Sequence, residues 1–222
     1  MGSDVSISQF QETLKKQLMT DYPSLHVVED HSLTIIRGSL FIYDSTRTRE
    51  LDRYSIEIII PKDYTRQLPL VREIGGRLPK ILDRHFIPPT DIACLFFPDE
   101  RYKYYPPGST IIDFIRGPVE SFFRSQTYFD LNGKWPYGER GHGLKGLIEF
   151  YSELLGTNDI IVIKKFLKYL SKEKIKGSWK CYCGSYKRLQ DCHFSHLSKF
   201  KNKISRQQAR NTLTFIEKYF DK

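Results

Sequence analysis

The chain has 222 residues, 40% hydrophobic and 27% charged, with a formal net charge of +9. That balance excludes a disordered chain, and no apolar run approaches the roughly twenty residues that a membrane span needs. The expected class is a globular domain with an appendage, not bound to a membrane, and the opening MGSDVSISQFQETLKK has no apolar signal core, which points to a reducing, cytoplasmic setting.

In chain order, SISQFQETLKKQLMTDYPSL predicts an amphipathic helix with Phe10, Leu14 and Leu18 on one face, ended at Asp21-Tyr22-Pro23. LHVVED, LTIIRGSLFIY and YSIEIIIP are strand-like runs, the last two separated by the polar hairpin stretch DSTRTRELDR. A helix followed by an antiparallel meander is an α+β pattern. Residues 61–89 are punctuated by Pro and Gly and predict an irregular wrap with one short strand at most. TIIDFIRGPVESFFRSQ predicts a helix capped by Ser109 or Thr110, and LNGKWPYGERGHG a glycine-rich loop. Helices are expected in LKGLIEFYSELLG, in NDIIVIKKFLKYLSK and finally in SRQQARNTLTFIEKYF.

The positive charge is concentrated late. Residues 1–163 carry 19 Lys/Arg against 22 Asp/Glu, a net −3, whereas residues 164–203 carry 12 against 2, a net +10. Such a segment suits contact with nucleic acid, a ribosome or an acidic protein face, and equally a solvated lysine-rich helix. Nucleic acid is the weaker partner expectation, because few aromatics interleave with the lysines and no groove-reading motif is present.

Within that segment, WKCYCGSYKRLQDCHF holds Cys181, Cys183, Cys192 and His193, and three of the chain's four cysteines fall in twelve residues. Thiolates and an imidazole at this spacing suit tetrahedral, structural Zn(2+), with His196 as an alternative to His193. A disulfide or unliganded thiols are the competing readings. The pattern Cys-x-Cys-Gly-Ser followed by Cys-His resembles the SEC-C zinc motif, a module of about fifteen residues found at the ends of bacterial proteins. Four protein ligands leave no open position, so metal catalysis is not expected.

The first half holds, in order, LTIIRGSL, YSIEIIIPKDY, PLV, His85, the Cys94-Leu95 dipeptide nine residues later, and YYPPGSTIIDFIRGPVESFF. Over residues 5–126 this ordered series is similar to a ubiquitin-conjugating (UBC-like) domain. It implies a UBC-like antiparallel meander flanked by helices, followed by a small helical, zinc-binding region. The expected division is 1–156 for the UBC-like domain, 157–178 for a basic helical linker, 179–196 for the zinc motif and 204–222 for a last helix. The GERGHG and IEFYSELLG pieces look like divergent bacterial members of the family.

The resemblance implies a transferase in which Cys94 takes a ubiquitin-like modifier or a protein C-terminus as a thioester from an activating enzyme and passes it to an amine. It also implies antiviral-defence operons and, as a target, a cGAS-like nucleotidyltransferase. Sulfur suits both half-reactions, being nucleophilic as thiolate and a fair leaving group. The chain departs from the family at the His-Pro-Asn box, which reads His85-Phe86-Ile87, so the amide that would hold the oxyanion is missing. His142 or Asn132 would have to supply a donor or base, and His85 is expected to organise the backbone near the cysteine. Asp99 and Glu100 read either as an acceptor-orienting pair or as a solvated turn. Tyr102, Tyr104 and Tyr105 either line a groove for a C-terminal tail or pack their own loop. Read without the family, Cys94 among Ile92, Ala93, Leu95, Phe96 and Phe97 is an inert core thiol. The alternative function is therefore a catalytically inactive UBC-like binding or adaptor module with a zinc-dependent, partner-recruiting tail.

Overall fold

A computed structural model describes residues 2–30, 33–64, 67–138 and 141–220. The architecture is α+β: a six-stranded antiparallel sheet with helices, and a C-terminal helical region that carries the Cys/His cluster. Two compact units divide the chain, the first formed by Met1–Leu95 with Tyr105–Gly138 and the second by Phe96–Tyr104 with Glu139–Lys222. The first carries 15 Lys/Arg against 16 Asp/Glu and the second 20 against 10, so the basic excess belongs to the second unit. Among the described residues, no helix is long and apolar enough to cross a membrane.

In the first unit α1 (Gly2–Asp21) buries Leu14 and Leu18, and Phe10 stacks on Tyr64 with ring centroids 5.3 Å apart. Strands β1 (Leu25–Asp30), β2 (Leu33–Tyr43), β3 (Glu50–Ile60) and β4 (Leu70–Glu73) form the meander. Strand β6 (Ile92–Ala93) follows β4, and β5 (Phe86–Ile87) closes the edge. Along β3, Tyr54, Ile56, Ile58 and Ile60 are all buried, the two-residue period of a strand with one core face. On the other face Glu57 sits between Arg37 of β2 and Arg72 of β4, both its register partners, and pairs with them at 2.5 and 3.6 Å.

Gly38 is required by a close backbone approach. Its φ is +147°, and a Cβ there would lie 1.9 Å from the Ser24 carbonyl oxygen, while the next residue's N–H donates to that same oxygen at 3.0 Å. The Arg-Gly pair in LTIIRGSL thus lets β1 cross close to β2.

After the short helix α2 (Arg101–Tyr104), which belongs to the second unit, α3 (Ile111–Phe114) opens on a capping box between Thr110 and Asp113. The single helix expected over TIIDFIRGPVESFFRSQ is interrupted by a π-helical turn at Ile115–Val119 and resumes as α4 (Glu120–Asn132). Pro118 lies in the turn; proline has no N–H to give and crowds the preceding turn, and the wider spacing accommodates it. Tyr54 packs on Phe123 of α4 at 4.8 Å, and its hydroxyl lies 2.9 Å from Thr127 Oγ1 and donates to Asp52 at 2.9 Å.

The second unit is built on α5 (Gly143–Leu155), α6 (Ile160–Leu170), α7 (Phe194–Lys201) and α8 (Arg206–Phe220). Gly156 in left-handed backbone ends α5, and Asp159 caps α6 by accepting from the Ile161 N–H at 2.8 Å. Phe166 of α6 is fully buried at the centre, with the rings of Tyr151, Tyr182, His196 and Phe200 within 5.2–6.3 Å. Helix α7 was not among the elements the sequence predicted, because FSHLSKFK is short and follows directly on the Cys/His motif.

A candidate metal centre and the Cys94 hairpin

Trp179–Leu189 fold back on themselves as a small hairpin. The Leu189 N–H donates to the Trp179 carbonyl at 2.6 Å and the Cys181 N–H to the Lys187 carbonyl at 2.8 Å, around an antiparallel bridge of Lys180 with Arg188. The tip turns through Gly184 at φ +80° and Tyr186 at φ +61°. A 3-10 turn, Leu189–Asp191, then brings Cys192 and His193 back to the first arm, with His193 at the N-cap of α7. Helix α6 fixes this knuckle from outside: Lys165 Nζ donates to the Cys181 carbonyl at 2.9 Å and the Tyr169 hydroxyl to the Lys180 carbonyl at 2.7 Å.

The result is a Cys3His cluster whose donor atoms lie within 4.8 Å of one another. Cys183 and Cys192 sulfurs are 3.7 Å apart, and His193 Nδ1 lies 3.3 Å from Cys181 Sγ and 3.1 Å from Cys192 Sγ. Zn–S bonds of about 2.3 Å and Zn–N bonds of about 2.0–2.1 Å give tetrahedral edges of about 3.8 Å between sulfurs and about 3.5 Å from sulfur to nitrogen. The donor set and its spacing therefore fit a metal ion such as zinc. All four cysteines are free thiols, and a sulfur separation of 3.7 Å is far from the roughly 2 Å of a disulfide.

Burial lifts the Cys181 thiol to about 11, opposed in part by the Cys183 N–H. At Cys183 burial acts the same way but is outweighed, first by the Ser185 hydroxyl and N–H and then by the other two thiols, which hold it at about 6. Ser185 Oγ lies 3.2 Å from Cys183 and 3.5 Å from Cys192. His196, the alternative ligand, is engaged elsewhere: its Nδ1 is 2.8 Å from the Tyr182 hydroxyl and its ring packs 5.2 Å from Phe200.

Cys94 lies in the first unit, directly after β6. The Cys94 N–H donates to the His85 carbonyl at 2.7 Å, closing the β5–β6 hairpin, so it is the main chain of His85 that joins the two residues. His85 itself takes left-handed backbone at φ +56°, and its ring meets Trp135 edge-on at 4.5 Å. Phe86 is fully buried, while Ile87 is exposed. Cys94 is half-buried, and burial pushes its thiol above the usual range.

His142 is the N-cap residue of α5, in the second unit, and gives that helix no side-chain cap. The Asn132 amide is used locally, donating to the Tyr128 carbonyl at 2.8 Å.

Asp99 and Glu100 are not a solvated turn. Both are buried, with Asp99 2% exposed, and Glu100 pairs with Lys103 at 3.0 Å. Asp99 accepts hydrogen bonds from the hydroxyls of Tyr151 at 2.5 Å and Thr212 at 3.0 Å and from Gln208 Nε2 at 3.0 Å. All of these lie in the second unit, so the carboxylate ties the Phe96–Tyr104 segment to α5 and α8. For Asp99 the sequence carries no sign of burial, because its partners Tyr151 and Thr212 come 52 and 113 residues later.

No protein family, curated protein or solved structure matches this chain.

Proposed function

We propose that the first unit is a ubiquitin-conjugating-like domain that carries an activated C-terminus as a thioester on Cys94, and that the second is an accessory unit held by structural zinc on Cys181, Cys183, Cys192 and His193. The supporting observation is the setting of Cys94, half-buried at the end of a tight hairpin and the one cysteine outside the metal cluster. In the proposed reaction the Cys94 thiolate attacks the carbonyl carbon of an acyl group on an activating enzyme's thiol and expels that thiolate, which takes up the proton Cys94 gave to solvent. A target amine then attacks the same carbon, and the Cys94 sulfur leaves with the electron pair and regains a proton as the amide forms.

The raised thiol pKa shapes this chemistry. Little thiolate is present at neutral pH, but the thiolate that does form is intrinsically more nucleophilic, and as a leaving group it departs slowly. An acyl group on Cys94 is therefore slow to transfer to water and to an amine alike, so transfer depends on an amine held in position. Loading should speed up about tenfold per pH unit up to the native pKa, since only the thiolate reacts.

The same burial favours a second reading, a non-catalytic module whose Cys94 is a packing thiol and whose zinc-held unit recruits a partner. One experiment separates the two. The protein is incubated with activating enzyme, ATP and a modifier ending in glycine, then resolved with and without thiol reductant. Conjugation predicts a reductant-sensitive adduct that Cys94→Ala abolishes and Cys94→Ser converts to a reductant-resistant ester. An adduct that persists in Cys94→Ala, or none at all while Cys94 resists alkylation up to pH 9, supports the binding module.

A further inference from the structure

We propose that the tip of the Cys/His knuckle binds single-stranded nucleic acid, with the Tyr186 ring as a stacking platform and Lys180, Lys187 and Arg188 as contacts to phosphate. Tyr186 is 84% exposed, so its ring contributes almost nothing to the core of its own unit. It also occupies left-handed backbone at φ +61°, where a residue with a Cβ costs stability that glycine would not. A large aromatic held out in solvent on unfavourable backbone adds little to the packing of this unit, and its chemistry is that of a flat π-face.

The surroundings of the ring specify the ligand. Lys180 Nζ lies 5.9 Å from the Tyr186 ring centroid across the hairpin, and Lys187 is the exposed next residue. Arg188 is also exposed and shares its charge with Asp191 at 2.7 Å. The unit that presents this tip is the one with the net charge of +10.

Phosphates spaced along a strand match cations flanking a ring, and every base offers a face to stack. An acidic protein surface would satisfy the lysines but leave the ring without a partner. A duplex hides its bases, and the knuckle carries no helix or ribbon of base-reading side chains, so an unpaired strand is the occupant that uses both features.

The test uses the full-length, zinc-loaded protein and fluorescently labelled oligo-dT and oligo-U of about twelve nucleotides, read by anisotropy at several salt concentrations. Wild type should bind both. Tyr186→Ala should weaken binding roughly tenfold and Tyr186→Phe should leave it unchanged, because stacking needs the ring and not the hydroxyl. Replacing Lys180 and Lys187 together by Gln should flatten the log–log salt slope by about 1.4, two phosphate contacts on a single strand. Tyr186→Gly relieves the backbone, so it should melt no lower than wild type while binding as weakly as the alanine variant. The proposal is overturned if wild type does not bind, if Tyr186→Ala binds as well as Tyr186→Phe, or if duplex DNA or polyglutamate binds as tightly as the single strands. None of these readouts involves Cys94.

Discussion

The two units are held in different ways. In the first, a meander supplies continuous main-chain pairing, and its buried charges are neutralised in place. Glu57 is flanked by two arginines, Glu73 pairs with Lys80, and Glu120 takes both an Arg47 guanidinium and the Tyr22 hydroxyl. The second unit carries twice as many cations as anions, and its knuckle has only a few hairpin hydrogen bonds of its own. Two side-chain devices stand in for a sheet there, the half-buried Cys3His cluster and the buried Asp99 carboxylate. The contrast is between a fold fixed by backbone pairing and one fixed by a few side-chain cross-links. Changes to those cross-links should therefore act on the second unit alone.

Metal removal should have the largest effect. Binding free energies of structural zinc to small Cys/His segments are on the order of 10 kcal/mol, and here that energy would fix residues 179–193 against α6. Stripping the metal with a chelator, or making Cys181→Ser, should collapse amide-exchange protection across the knuckle and α7, and leave β2, β3 and α4 as protected as before. Acidification should release the metal too, since protons compete for the thiolates. Equal loss of protection in both units would refute the division of labour.

Next in size is a pair of substitutions that should mirror each other. Phe166→Ala opens a cavity beneath Tyr151, Tyr182 and Phe200 and should cost the second unit about 4 kcal/mol. Gly38→Ala drives a Cβ into the Ser24 carbonyl and should cost the first unit about 3 kcal/mol. Unfolding monitored separately by Trp135 and Trp179 fluorescence would assign each loss to its unit, and a crossed result would break the comparison.

Much of the first unit was legible because its signals are local. Alternating β-branched residues in YSIEIIIP, the Arg-Gly pair in LTIIRGSL and the cap at Thr110 each dictate geometry within a few residues, and the Cys/His ligand set is compact for the same reason. What was not legible depends on distant pairing. Strand β5 is two residues long and exists because Phe86 faces Ala93. Asp99 reads as solvent-facing until α5 and α8 arrive with their hydroxyls and amide. Tyr186 carries no sequence mark that separates it from the other tyrosines, and only its backbone and exposure single it out.

The smallest predicted effect concerns Asp99. Burial raises its pKa, and the hydrogen bonds from Tyr151, Thr212 and Gln208 offset that only in part. A carboxyl whose native pKa lies above its unfolded value, about 3.9, contributes stability that is fully present below that unfolded value and is lost as pH rises through the native one. Asp99→Asn removes the titration and keeps a polar group among the same three partners. The stability of wild type relative to this variant should therefore fall as pH rises from 4 toward neutrality. Asp99→Ala differs in kind, because it strands buried hydroxyls and should cost about 2 kcal/mol at every pH. Urea unfolding of the three proteins across that range decides the matter. If wild type and Asp99→Asn run parallel with pH, the hydrogen bonds already offset the burial of the carboxylate in full, and of the two devices only the Cys/His cluster would make the stability of the second unit depend on pH.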